Sequence, residues 1–203
     1  LLFSTTDLWR HGGFTHGGVL WAPSGLEQEG PVLKLLFGGG IYHYISGALG
    51  NADVRGTELA AAILPGWRFI RNGISVTVFL GYDFQRHSLR PDDLSAGLRG
   101  NYHGARTGFE LWYQPTPATM IAADASLSSV GPSYNVRLAA GLRAFDAFYV
   151  GHYGSLSAAG DQSLGTQLST RGITTPLYLA YSSHDTFVTN AVTGQGGLGG
   201  ALY

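Results

Sequence analysis

Between Ile74 and Gln114 the chain alternates residue by residue. Ile74, Val76, Val78, Leu80, Tyr82 and Phe84 form one apolar series, with Ser75, Thr77, Phe79, Gly81, Asp83, Gln85 and His87 interleaved. A period of two over this length belongs to a strand with two unlike faces. The cluster Arg90-Pro91-Asp92-Asp93 turns the chain, and the alternation returns. Ala105, Thr107, Phe109, Leu111 and Tyr113 then share one face; Tyr102, Gly104, Arg106, Gly108, Glu110 and Trp112 share the other. Charges thus keep company with glycines and rings, opposite a clean apolar face.

The same reading extends along the chain. Leu2–Arg10 and Phe14–Ala22 predict a hairpin, followed by the polar connection Pro23–Gly30. Val32–Ser46 is a long strand, with Leu33, Leu35, Phe37, Ile41 and Ile45 opposite Lys34, Gly38, Gly40, Tyr42 and Tyr44. A loop is expected over Gly47–Arg55, then a strand over Gly56–Ile70. That strand carries Leu59, Ala61, Ile63, Pro65, Trp67 and Phe69 outward and Glu58, Gly66 and Arg68 inward. Pro65 cannot donate to a ladder, so a bulge is expected there. Ala118–Ser129 and Tyr134–Leu142 follow, then weaker strands at Tyr149–Ser157, Leu164–Ile173, Leu177–Phe187 and Gly194–Tyr203. The sum is about twelve strands in one domain over residues 1–203. Short turns alternate with longer loops, the eight-residue Pro23–Gly30 being long on the short side.

Such alternation fits a soluble sandwich or a membrane barrel, and the charges choose between them. Hydrophobic residues make up 44% of the chain and charged residues 12%, about half the usual share of charge. The inward set holds Lys34, Arg68, Arg106, Arg137, Arg143 and Arg171 against Asp7, Glu58, Asp83, Glu110 and Asp124. Burying so many charges in a dry core is costly, whereas a lumen lets them pair and share water. The expected fold is therefore all-β, an antiparallel up-and-down transmembrane barrel whose apolar face meets lipid. The bacterial outer membrane is the expected location, and outer-membrane lipid or lipopolysaccharide the expected surroundings. No stretch reads as a membrane-spanning helix: the charge-free run Leu35–Ala52 is broken by glycines and polar residues. Cysteine is absent, which removes disulfide and thiol chemistry, and the net charge of −1 argues against a nucleic-acid partner.

Several segments together resemble the cellulose biosynthesis protein BcsS family of outer-membrane proteins. They are Asp7-Leu8-Trp9-Arg10, Gly17–Pro23, Asp53–Glu58, Leu64–Phe69, Arg90–Asp93 and, most densely, Leu111–Met120 running on to Asp124 and Ala125. The likeness covers roughly residues 3 to 151. It implies a barrel that accompanies cellulose synthesis or secretion, with cellulose and the cellulose-synthase machinery as expected partners. It carries no catalytic mechanism with it.

The candidate chemistry is sparse. The balanced inward charges, Asp7, Lys34, Glu58, Arg68, Asp83, Arg106, Glu110, Asp124, Arg137 and Arg143, predict a lumen filled by ion pairs. A selective pore is expected to carry a lopsided ring instead. Trp9, Tyr42, Tyr44, Tyr102 and Trp112 lie on the charged face and are the candidate glucan contacts, whereas Trp21 and Trp67 read as interfacial girdle. Asp83, Glu110 and Asp124 could serve glycoside hydrolysis as paired carboxylates, but as partners of Arg68, Arg106 and Arg137 they have a simpler role. Ser183-His184-Asp185 is adjacent in sequence, which is turn chemistry rather than a convergent triad. No histidine spacing predicts a metal, no strand–glycine–helix unit predicts a nucleotide, and no cofactor is expected. Inward glycines are expected to make room for neighbouring Arg or Trp side chains.

Overall fold

The computed structural model describes residues 1–9, 12–131, 133–144, 148–158, 177–183, 186–193 and 197–202. Among them lie twelve antiparallel strands forming one sheet in chain order. The first six are β1 (Leu2–Trp9), β2 (Gly12–Trp21), β3 (Gly30–Ser46), β4 (Ala52–Arg71), β5 (Ile74–Arg90) and β6 (Gly100–Thr116). The others are β7 (Thr119–Ser128), β8 (Ser133–Ala144), β9 (Phe148–Ala158), β10 (Leu177–Ser183), β11 (Thr186–Thr193) and β12 (Gly197–Leu202). One 3-10 turn, Gly47–Leu49, joins β3 to β4. Among the described residues no helix is long and apolar enough to cross a membrane, which says nothing of strands.

The two faces follow the sequence pattern. On β5, Thr77, Phe79, Asp83, Gln85, His87 and Leu89 are buried, while Val78, Leu80 and Tyr82 are exposed. Leu80, Leu127 and Leu138 are 63%, 60% and 60% exposed, whereas Asp83 is 0% exposed. The charged face is therefore the inner one, and it is concave. Lys34 on β3 meets Glu110 on β6, and Ser128 on β7 reaches Asp83 on β5, across intervening strands. β1 lies alongside β12, so the first and last strands are neighbours.

Because each strand runs against the last, connections fall alternately at two ends. Residues 72–73 and 117–118 are tight turns at one end; 47–51, 91–99 and 129–131 lie at the other. Asn72 and Gly73 both have positive φ (49° and 78°), the geometry that closes a two-residue hairpin. Residues 22–29 share the short-turn end with Leu1, whose amino group donates to the Leu20 carbonyl at 2.9 Å.

Three expectations are corrected. β4 begins at Ala52, so the loop predicted over Gly47–Arg55 is shorter. There is no bulge at Pro65: pairing with β5 lapses at Leu64–Pro65, yet Ile63↔Tyr82 and Gly66↔Phe79 keep one register. The missing proline N–H is absorbed as a gap in the ladder. The register shift lies instead between Tyr113 and Thr116, around Pro115. Ser183 pairs with Thr186, so the strand predicted over Leu177–Phe187 is two strands. The predicted strand Leu164–Ile173 lies outside the described residues, as do Arg171, His184, Asp185 and Tyr203.

Candidate functional site: the buried inner face

Inward glycines let rings lie flat along the wall. Phe3 faces Gly18, Phe14 faces Gly40, Tyr42 faces Gly56, and Phe79 lies between Gly66 and Gly108. A Cβ at Gly56 would sit 2.2 Å from the Tyr42 ring, and one at Gly66 2.6 Å from Phe79. The rings so accommodated are Phe and Tyr, while the expected pairing of glycine with Arg or Trp occurs at Trp9 opposite Gly12, Arg68 opposite Gly30 and Arg106 opposite Gly81. Trp112 is half-buried opposite Ser75 and Ala122.

At the short-turn end the interior is a packed core. Leu20, Val32, Ala62, Leu64 and Phe79 are buried together, and Leu1, Ala22, Leu26 and Leu36 pack against them. The 22–29 connection thus folds back under the strands, held where Arg68 Nη1 donates to the Leu26 carbonyl at 2.7 Å. Arg68 Nε donates to Thr77 Oγ1 at 3.1 Å. Above this layer Lys34 Nζ pairs with Glu110 and lies over the rings of Phe3 (4.7 Å) and Phe79 (5.5 Å). A cation flanked by a carboxylate and two ring faces is well compensated away from water.

The middle of the interior is organised by Asp83. Its Oδ2 accepts from Arg106 Nη2 at 3.1 Å, from Gln85 Nε2 at 2.9 Å and from Ser128 Oγ. His87 Nε2 meets Gln85 Oε1 at 3.1 Å, and the His87 ring stands edge-on to Tyr102. Glu58 lies close enough to feel the charges of Arg106 and Asp83. A fully buried carboxylate with three donors on one oxygen is fastened to three strands, and in this conformation it meets no solvent.

At the long-loop end residues 91–99 turn inward. Asp93, buried although it lies in a loop, accepts from Tyr44 Oη at 3.0 Å, Ser95 N at 3.0 Å and Ser95 Oγ at 2.6 Å. Hydrogen bonds from Ser46 and Ser95, with Tyr44 adding to them, hold its carboxyl down at about 2. Tyr102 Oη accepts from Arg99 N (2.9 Å) and donates to the Gly97 carbonyl (3.2 Å). Arg99 pairs with Asp92 at 2.9 Å. Tyr42 stacks beside Tyr44 with ring centroids 6.3 Å apart.

The predicted residues distribute as follows. Lys34 with Glu110, and Asp83 with Arg106, form ion pairs; Arg68 instead binds a carbonyl and a hydroxyl. Asp124 sits between Glu110 and Arg137 in the ladder. Arg143 shares the inner parity but stands exposed one residue from the end of β8. Asp7 and Trp9 lie on β1, but their side chains, like that of Arg137, are outside the described residues. Of the candidate glucan contacts, Tyr44 and Tyr102 use their hydroxyls to hold the 91–99 loop. Sequence reasoning missed Asp93, Phe3, Phe14, Gln85 and the 22–29 fold-back. The Asp-x-Ser spacing of Asp93 and Ser95 was the available signal for the first. Among the described residues no group of three His, Asp or Glu could hold a metal ion.

No curated protein and no solved structure matches the chain. A family model described as cellulose biosynthesis protein BcsS matches residues 1–201, carrying the likeness beyond residue 151 to the last strand. An all-β sheet of this build, with its charges gathered on one concave face, therefore belongs to the cellulose biosynthesis protein BcsS family.

Proposed function

We propose that the protein is a closed outer-membrane barrel serving bacterial cellulose production as a scaffold, its lumen filled by its own side chains. The observation that carries this reading is the inversion of the two faces: exposed aliphatic side chains outside, a buried carboxylate hub inside. A soluble protein leaving Leu59, Ile63, Phe69, Leu80, Leu127 and Leu142 in water would aggregate. The outward apolar run from Ile74 to Phe84, at about 3.3 Å per residue and a tilt near 45°, spans about 25 Å, the height of an apolar band. Trp21 and Trp67 mark its short-turn edge. The adjacency of β1 and β12 supports closure. Long loops then face outward from the cell and tight turns the periplasm.

The packed layer around Leu20 and Phe79, with Leu26 folded back against it, and the inturned 91–99 loop obstruct passage at two levels. This favours a scaffold for the cellulose-synthase machinery over a conduit for glucan. The test is reconstitution into planar bilayers together with heat-dependent gel mobility. Insertion with a mobility shift and no large, steady conductance is expected; a steady ion conductance would replace the scaffold with a channel. Failure to insert would remove the membrane assignment itself.

A further inference from the structure

The outer face is not uniformly apolar. At its long-loop end, His43 pairs with Arg55 in the β3–β4 ladder, and Arg55 pairs with Arg90 in the β4–β5 ladder. Thr57 and Ser88 are partners one step further into the sheet, and Leu59 and Arg86 one step beyond. Arg55, Thr57, Arg86, Ser88 and Arg90 are all exposed. Arginines directly opposite each other repel. Nearby carboxylates do not relieve this: Asp53 turns to His43 at 3.5 Å, and Asp92 to Arg99 at 2.9 Å. Among the described residues Arg55, Arg86 and Arg90 form no ion pair.

We infer that Arg55, Arg86 and Arg90, with the Thr57 and Ser88 hydroxyls between them, form a site for the phosphate groups of a membrane-embedded phosphorylated glycolipid. The inference rests on the outer-membrane reading above. Guanidinium groups take phosphate oxygens in pairs of parallel hydrogen bonds, and a phosphate between two facing arginines turns their repulsion into attraction. The choice of a lipid over free phosphate comes from what lies below. Leu59, Leu80, Tyr82 and Phe84 continue the same outer face toward mid-membrane, an apolar wall for acyl chains beneath the charged headgroup. The long-loop end is also the outer-leaflet end of such barrels, where phosphorylated glycolipid is the bulk lipid.

The test uses the whole chain, refolded in detergent and titrated with diphosphorylated lipid A, the same lipid dephosphorylated, and inorganic phosphate. Bound lipid is counted by native mass spectrometry. The diphosphorylated lipid is expected to bind at least ten-fold more tightly than the dephosphorylated one. The variant R55Q/R86Q/R90Q is expected to lose that preference while keeping its heat-dependent mobility. R71Q, the same kind of substitution at a single arginine of the opposite end, should keep it. Should the triple variant misfold, the two lipids on the unaltered chain decide alone. Equal affinity for both lipids, equal loss in R71Q, or comparable binding of inorganic phosphate would overturn the site. Each of these is distinct from failure to insert into bilayers, which would overturn the membrane reading.

Discussion

At the scale of single residues, Asp83 and Asp93 do different work with the same carboxylate. Asp83 is enclosed and holds Arg106, Gln85 and Ser128 together. Removing one member of a buried pair strands the other, so Asp83→Ala is expected to destabilise by about 3–5 kcal/mol. Urea unfolding in vesicles or detergent measures this, and Leu94→Ala, an exposed change, serves as its near-neutral control. Asp93 has a carboxyl lowered to about 2 from an ordinary 3.8. Its contribution to closing the 91–99 loop is fully present above the ordinary value and is lost as pH falls through about 2. The chain has no cysteine, so a fluorophore on Leu94→Cys can report the loop. Its signal should stay constant from neutral pH to about 4 and change below that, while Asp93→Asn should show the changed signal at every pH. Parity in the sequence places Asp83 and Arg106 on one face, and their pairing follows from adjacent strands. It could not reveal Lys34 with Glu110, which are 76 residues apart and meet only through curvature of the sheet.

At the scale of elements, facing residues decide what a strand can carry. Glycine opposite an aromatic ring recurs along the inner face, and Gly56 beneath Tyr42 is the tightest instance among the ring contacts. Gly56→Val forces the ring toward Tyr44, and overpacking of this kind costs about 1–3 kcal/mol. Adding Tyr42→Ala should recover part of that loss, which the shift in urea midpoint between single and double variants would show. The glycines were visible in the sequence, but their occupants were not, because register decides which ring meets which glycine. The prolines show the same limit. Pro65 and Pro115 look alike in sequence; the ladder tolerates a gap at the first and shifts register at the second. The strands from β4 to β8 were legible because their alternation is strict. In the last fifty residues glycine and small polar residues dilute the pattern, and strand boundaries moved accordingly.

At the scale of the whole molecule, the distribution of charge carries the membrane proposal. Leu80 stands at the middle of the outer apolar run. In lipid, Leu80→Arg is expected to destabilise by about 2–4 kcal/mol; on a water-facing surface the same change would be near neutral or would improve solubility. Equilibrium unfolding from vesicles separates the two. One feature of the interior also constrains how the molecule comes into being. Lys34 sits at a crossing where Phe3, Phe79 and Glu110 converge from β1, β5 and β6. Only an assembly that already holds β1 to β6 contains that crossing, so a sheet short of those six strands would leave the ammonium without part of its shielding. In the proposed membrane setting these six strands would then enter the bilayer as one unit, the last of them completing the shield around Lys34.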